Sequence, residues 1–287
     1  MNLNKIFSTF LLSIVLLGSM GCGKGTDPFT EKPVIADPCK SGNCLTVATL
    51  NVGVGQRASA TVIAQKLKPL NLDVLTLTEC PTLIDQNSMN KDFVALVAET
   101  LDMPYWKLGT ISSANHWKDW GTDISGKYHG KLKAVLSKTP LSNPEDIALQ
   151  GSGFSPSSVV KVNTVIKNKP FAIYALHVPG SSNAEGSVHK YFADQVLSKE
   201  TSPNILVMGD FNNVPSGATM LYLKGKGLKD ALDDLTNLSS RIDPYKPGRI
   251  DHILYNGASE IKAVDGYSKF DANISDHPYI WVKMLYK

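Results

Sequence analysis

The sequence predicts an α/β domain, on three observations. From Leu45 onward, apolar runs of strand length alternate with segments of helical spacing. The composition, 43% hydrophobic and 19% charged over 287 residues, supports a full core and carries no disordered signature. No internal repeat and no second compositional break follows, so a single large domain is expected. A net charge of +3 tolerates an anionic partner but is too small to argue for an extended nucleic-acid surface.

The chain opens with a short basic start, Asn2 to Lys5, an apolar core, Ile6 to Leu17, and small residues up to Gly21. That layout is a secretory signal, and its apolar run is short for a bilayer span. Gly21-Cys22 resembles a bacterial lipobox, with Ser19 where Leu is usual. The expectation is a lipoprotein-type signal peptide over 1–21, an acylated Cys22 anchoring the chain to a membrane, and a periplasmic or cell-surface location. Residues 22–44, rich in Gly, Pro, Lys and Thr, read as the anchor and tether, and 45–287 as the globular domain. In an oxidising compartment Cys39 and Cys44 suit a small disulfide, and Cys80 reads as buried.

The elements follow in order. Leu45 to Val52 reads as a β-branched strand, Ala58 to Leu70 as a helix with Val62, Ile63 and Leu67 on one face, and Leu72 to Thr78 as a second strand closed by Glu79-Cys80-Pro81. A helix is expected over Lys91 to Leu101 and a strand at Tyr105 to Leu108. His116, Trp117, Trp120 and His129 fall in a stretch of loop chemistry, aromatic faces among polar residues. Lys131 to Lys138 alternates into a strand with Lys131 and Lys133 on one face. Val159 to Ile166 and Phe171 to Val178 form a hairpin across Lys167 to Pro170. Glu185 to Lys199 is helical, Ile205 to Met208 is a buried strand, Ser216 to Lys226 is a helix, and Arg249 to Tyr255 and Tyr279 to Leu285 are strands.

The strand at Ile205 to Met208 ends at Gly209, and Asp210 and Asn212 follow at a two-residue period. A carboxylate there can hold a cation or a water; it can equally close an Asx turn on its own backbone. Asn51, Glu79, His177, Asp251, Asp276 and His277 also lie at or beside strand ends. If these ends share one rim, the carboxylates and amides suit a hard cation such as Mg2+, Mn2+ or Ca2+, and the absence of a Cys/His cluster argues against zinc. The histidines suit general acid and base work, with carboxylates setting their tautomers. Singly, each has an ordinary structural reading, such as an Arg249–Asp251 salt bridge.

Together they fall in a recognisable order. Asn51 after a strand, Glu79 after Asp73 to Thr78, His177 in Ala175-Leu176-His177-Val178-Pro179, Gly209-Asp210-Phe211-Asn212, Arg249-Ile250-Asp251-His252-Ile253-Leu254 and Ser275-Asp276-His277 resemble the endonuclease/exonuclease/phosphatase superfamily. The resemblance spans the whole globular part. It implies a four-layer α-β-β-α sandwich with two stacked mixed β-sheets. It further implies a divalent cation, most often Mg2+, held by Glu79 with Asn51 and Asp276. Asp210 and Asn212 would orient the water and the phosphate, His277 paired with Asp251 would act as base or donor, and His177 would assist the leaving group. Thr78 stands where the family often has Gln, and His177 where abasic-site endonucleases have Tyr. The implied activity is hydrolysis of a phosphate ester, in nucleic acid or a phospholipid head group. The competing class is a phosphate- or partner-binding lipoprotein of the same fold without catalysis.

Overall fold

A computed structural model of the chain describes residues 39–40, 42–83, 92–110, 124–125, 128–151, 157–178, 186–246 and 248–286. The signal, Cys22, most of the tether, His116, Trp117 and Trp120 lie outside the described residues. The strands among the described residues are β1 (Cys44–Asn51), β2 (Val74–Leu83), β3 (Tyr105–Leu108), β4 (Tyr128–Ser137), β5 (Leu141–Leu149), β6 (Ser157–Ile166), β7 (Lys169–His177), β8 (Ile205–Asp210), β9 (Leu228–Asp230), β10 (Asp251–Asn256), β11 (Ile261–Lys269) and β12 (Tyr279–Tyr286). The α-helices are α1 (Ala60–Leu67), α2 (Phe93–Thr100), α3 (Ser187–Tyr191) and α4 (Ala218–Gly225).

The strands form two six-stranded mixed sheets, ordered β11-β12-β1-β2-β4-β3 and β5-β6-β7-β8-β10-β9. Only β1–β2 and β7–β8 are parallel among these pairs. The period of two along each strand sorts side chains into three apolar layers. Leu45 and Val47 of β1, Ile173 and Ala175 of β7, Leu206 and Met208 of β8, and Ile253 and Tyr255 of β10 meet between the sheets. Ala48 and Leu50 point the other way, onto α1 and α2, and Tyr174 and Val207 onto the helices of the second sheet. Each fully buried aliphatic or aromatic side chain contributes roughly 1.5–3 kcal/mol against its exposed state, so the doubly covered sheets are where the stability lies. The layers are helix, sheet, sheet, helix, as the resemblance implied.

Several boundaries differ from the expectation, each for a local reason. The helix expected to Leu70 stops at Leu67, because Pro69 has no N–H to give Gln65, and a 3-10 turn with Asn71 left-handed ends it. The helix expected over Glu185 to Lys199 is α3 followed by one π turn, Phe192–Val196, and a 3-10 turn; Glu185 itself is outside the described residues. The widened turn buries Phe192 and Ala193 while Asp194 meets the Tyr222 hydroxyl at 2.7 Å. Strand β2 does not close at Glu79 but runs on to Leu83, its ladder with β4 shifting register on both sides of Cys80. Pro81 falls in the second shift, where no donor is required of it. Cys39 and Cys44 are disulfide-bonded, and Cys80 is buried.

Strands β5, β9 and β11 were not anticipated, and all three lie at sheet edges. Edge strands pair on one side only and tolerate residues that read as loop: Pro144 in β5, and the Asp265-Gly266 step beside the bulge of β11.

Two features fix the strands that matter most. Gly209 has φ +144°, and a Cβ there would sit 2.0 Å from the Leu176 carbonyl oxygen of the paired strand. Asp230, fully buried, accepts from Arg249 and from His252 Nδ1, both at 2.7 Å. Burial alone would raise the Asp230 carboxyl, but the charges and hydrogen bonds of His252 and Arg249 outweigh it and hold it down at about 2. Arg249 and His252 are thus clamped on one side of β10, which leaves Asp251, between them in sequence, on the other.

Gly209→Ala is expected to destabilise the fold by about 2 kcal/mol or more, read from the urea midpoint, because the clash is with backbone. Asp230→Asn should cost about 3 kcal/mol at neutral pH by leaving the buried Arg249 with only the half-exposed Asp233 as counter-charge, at 3.2 Å. Because the folded carboxyl titrates below its ordinary value of about 4, its stabilisation is complete above that pH. It is lost as pH falls toward about 2, so the wild-type and variant stabilities converge over that window.

Candidate active site

The inter-sheet apolar stripe turns polar at one end of the sandwich. Asn51 continues Leu45, Val47 and Thr49; His177 continues Ile173 and Ala175; Asp210 continues Leu206 and Met208; Asp251 precedes Ile253 and Tyr255. The same alternation that fills the core therefore delivers four buried polar side chains, from both sheets, to one rim.

The contacts are direct. Asn51 Nδ2 donates to Asp210 Oδ2 at 3.0 Å, joining the two sheets. His177 Nε2 lies 3.6 Å from Asp210 Oδ2 and 3.7 Å from Glu79 Oε1. His277 Nδ1 donates to Asp251 Oδ2 at 2.8 Å and lies 3.9 Å from Asp210 Oδ2. Asp210 Oδ1 accepts from the Asn212 backbone N–H at 2.8 Å, the Asx turn that the sequence allowed. One oxygen closes the turn and the other faces the rim. Asn212, left-handed at φ 48°, donates its side-chain amide to the Val178 carbonyl at 2.8 Å. Asp276 sits over Gly53, where a Cβ would meet its Oδ1 at 2.5 Å. Ser275 ties that segment in, donating to the Asn51 carbonyl and accepting from the His277 N–H at 3.0 Å. All eight residues singled out from the sequence are gathered at one end, and the Arg249–Asp251 salt bridge is not formed. Arg249 goes to Asp230 and Asp233 instead.

Other members escaped the sequence reading. Lys131 places its ammonium 2.7 Å from Glu79 Oε1, and Lys133 is fully buried. The available signal was their alternation with Val135, which lies between the sheets. Tyr245 packs against His277 with ring centroids 5.8 Å apart and planes tilted by 44°; it comes from a loop, and no local pattern marks it. Gly53 and Ser275 serve backbone geometry, which a sequence pattern does not display.

Electrostatics separates the roles. Burial pushes Asp210 up, reinforced by the Asp251 charge and opposed by His277, Asn212 and Asn51, to about 8. Burial likewise raises Asp251 against its bond to His277. Burial would lower His277, but the hydrogen bond and charge of Asp251, with Asp210 and Asp276, prevail and carry it to about 9. His177 goes well down, by burial and then by the charges of Lys133, Lys131 and His277. Lys133 is itself lowered to about 8 by burial, against the charge of Asp146. At pH 7 the site therefore holds an imidazolium at His277 and a neutral imidazole at His177.

The donor chemistry fits a hard divalent cation: Asn51, Glu79, Asp210, Asp251 and Asp276 all offer oxygens at this end of the sandwich, and Asp251 Oδ1 is buried with no hydrogen-bond partner among the described residues. Asp210, Asp251 and His277 each offer a ligand atom within 4.8 Å of the others. This is a tighter group than the Asn51, Glu79 and Asp276 set that the resemblance implied for the metal.

The family model described as Endonuclease/Exonuclease/phosphatase family matches residues 48–277. The chain belongs to that family, whose members are generally phosphoester hydrolases, typically metal-dependent. Among solved structures, an endonuclease/exonuclease/phosphatase from Beutenbergia cavernae is similar at TM-score 0.66 and 17% identity, over 85% of this chain and 72% of that one. A family protein from Leptotrichia buccalis gives 0.63 and 18%, over 83% and 98%. The human Nocturnin catalytic domain, solved with bound sulfate, gives 0.63 and 14%, over 85% and 95%. At these identities the likeness is one of fold. No curated protein sequence matches the chain.

Asp251→Asn should return His277 from about 9 toward the ordinary histidine value near 6.5, since the dominant upward influence is removed. A 1H–15N titration of the imidazole checks it.

Proposed function

We propose that this chain is an exported, divalent-metal-dependent phosphodiesterase that cleaves its ester by attack of an activated water. The observation that carries the reading is the meeting on one rim of His177, Asp210 and Asp251, from neighbouring strands of the second sheet, with His277 from the turn that leads into β12 of the first. Asp210 orients the water and, in the carboxylate fraction left by a carboxyl raised to about 8, accepts its proton as the oxygen bonds to phosphorus, a fraction that grows as pH rises toward that value. The His277 imidazolium, held by Asp251, donates to a non-bridging oxygen where negative charge accumulates. His177 stays neutral, so it assists the departing oxygen with an N–H hydrogen bond, and the proton that oxygen finally takes comes from solvent. The Asn212 carboxamide, positioned by Val178, aligns the phosphate. A cation held by oxygens of Glu79, Asn51 and Asp276, Mg2+ before Mn2+ or Ca2+, would supply the further positive charge the phosphoryl oxygens need.

Substrate and location belong to the same proposal. Nucleic acid and phospholipid head groups are both phosphodiesters, and activity on DNA that falls steeply with salt would identify the first. The anchor reading rests on the Met1 to Cys22 pattern. Cys22→Ala should move the chain from the membrane to the soluble fraction of its host.

The purified chain is expected to hydrolyse bis(p-nitrophenyl) phosphate with Mg2+ or Mn2+ and to stop on adding chelator. Asp210→Asn and His277→Ala should each lower kcat by about a hundredfold or more. No turnover with any of Mg2+, Mn2+ and Ca2+ would favour the non-catalytic binding protein.

A further inference from the structure

The residue that the proposed chemistry leaves unused is Lys131. Its ammonium lies 2.7 Å from Glu79 Oε1, with both side chains largely withdrawn from water, 10% and 14% exposed. Lysines are seldom buried this far without a partner that needs them. Glu79, for its part, is not placed by ordinary strand geometry. It sits in the register shift of β2 at φ 53°, a left-handed conformation that costs a non-glycine residue stability. The distortion turns the carboxylate toward His177, 3.7 Å away, and so toward the rim rather than along the sheet. A carboxylate aimed at a cation site is thus already in contact with a cation that belongs to the chain.

We propose that Lys131 is an exchangeable counter-cation for Glu79. Its ammonium neutralises the carboxylate while the site lacks a divalent ion, yields the carboxylate when one binds, and then turns toward the phosphoryl oxygens of the substrate. The exchange at Glu79 stands on the geometry alone; only the last step rests on the phosphodiesterase reading. The physical reason for exchange is repulsion. An ammonium and a divalent ion on one carboxylate are like charges a few ångströms apart in a partly desolvated pocket, where screening is weak. Lysine suits the part, because its charge rides on a flexible four-carbon stem. Lys133, two residues along β4 and wholly buried, cannot make that move and instead acts as a fixed charge behind His177.

A purely structural salt bridge makes the opposite prediction for ion binding, which gives the test. Mn2+ is titrated by calorimetry into the purified chain and into K131M, K131Q, K131R and E79Q, with thermal unfolding run in parallel to establish that each variant is folded. With the competing charge removed, K131M and K131Q should bind Mn2+ about tenfold tighter, and K131R, which keeps the charge, within about twofold of wild type. The KM for bis(p-nitrophenyl) phosphate should rise about tenfold in K131M and K131Q with kcat little changed, the pattern of a lost binding contact. Equal or weaker Mn2+ binding by both K131M and K131Q overturns the proposal, as does E79Q binding Mn2+ like wild type. Tighter Mn2+ binding in a chain that turns over no phosphodiester supports the exchange and defeats the phosphodiesterase reading separately.

Discussion

The structure depends on how charge is tolerated where two apolar sheet faces end. Burial between the sheets strips a carboxylate of solvent, yet Asp210 and Asp251 are both buried, and the Asp251 charge adds to burial in raising Asp210. Such a pair survives only if other groups offset the desolvation. Here Asn51 reaches across from the first sheet to Asp210, His277 takes up Asp251, and Lys131 takes up Glu79. Each contact joins residues far apart in sequence, and the first two link the first sheet, or the turn leading into it, to the second, so the sandwich and its polar end are one construction. Loosening the sheets would leave buried charge without partners.

That dependence explains the clamp behind β10. Asp230, Arg249 and His252 form a second buried polar group on the outer face of the strand, in which the Asp230 carboxylate accepts from both Arg249 and His252 Nδ1. It adds nothing to the rim directly. By fixing Arg249 and His252 it decides that Asp251 faces inward, since neighbouring residues on a strand point opposite ways. Gly209 has a similar part in β8: its missing side chain lets the Leu176 carbonyl approach, which keeps Asp210 and His177 in register on parallel strands.

The same arrangement assigns different states to like residues. Two histidines of the rim titrate in opposite directions because His277 faces three carboxylates, whereas His177, also near acids, is dominated by burial and by the charges of Lys133, Lys131 and His277. One is then a charged donor and the other a neutral one, a division that phosphoryl chemistry can use without either ring changing partners.

By itself the sequence determined the strong local patterns: the buried strands, most helix spans, the Cys39–Cys44 proximity, and the polar residue at the end of each central strand. The order of those residues was enough to point to the family, because a strand ending in Asp, Asn or His is a local event written in adjacent letters. Tertiary structure alone decided what those residues do to one another. The edge strands β5, β9 and β11 were illegible because pairing on one side tolerates Pro144 and the Asp265-Gly266 step, whereas β3, also an edge, keeps the aromatic run Tyr105-Trp106 that marks a strand. Lys131 reads in the sequence as one charge in an alternating strand; its contact with Glu79 exists only because β2 bulges against β4. Likewise no local rule sends Arg249 to Asp230 rather than to Asp251, since charge pairing follows distance in space, and that distance is set only when both sheets have closed on their shared core.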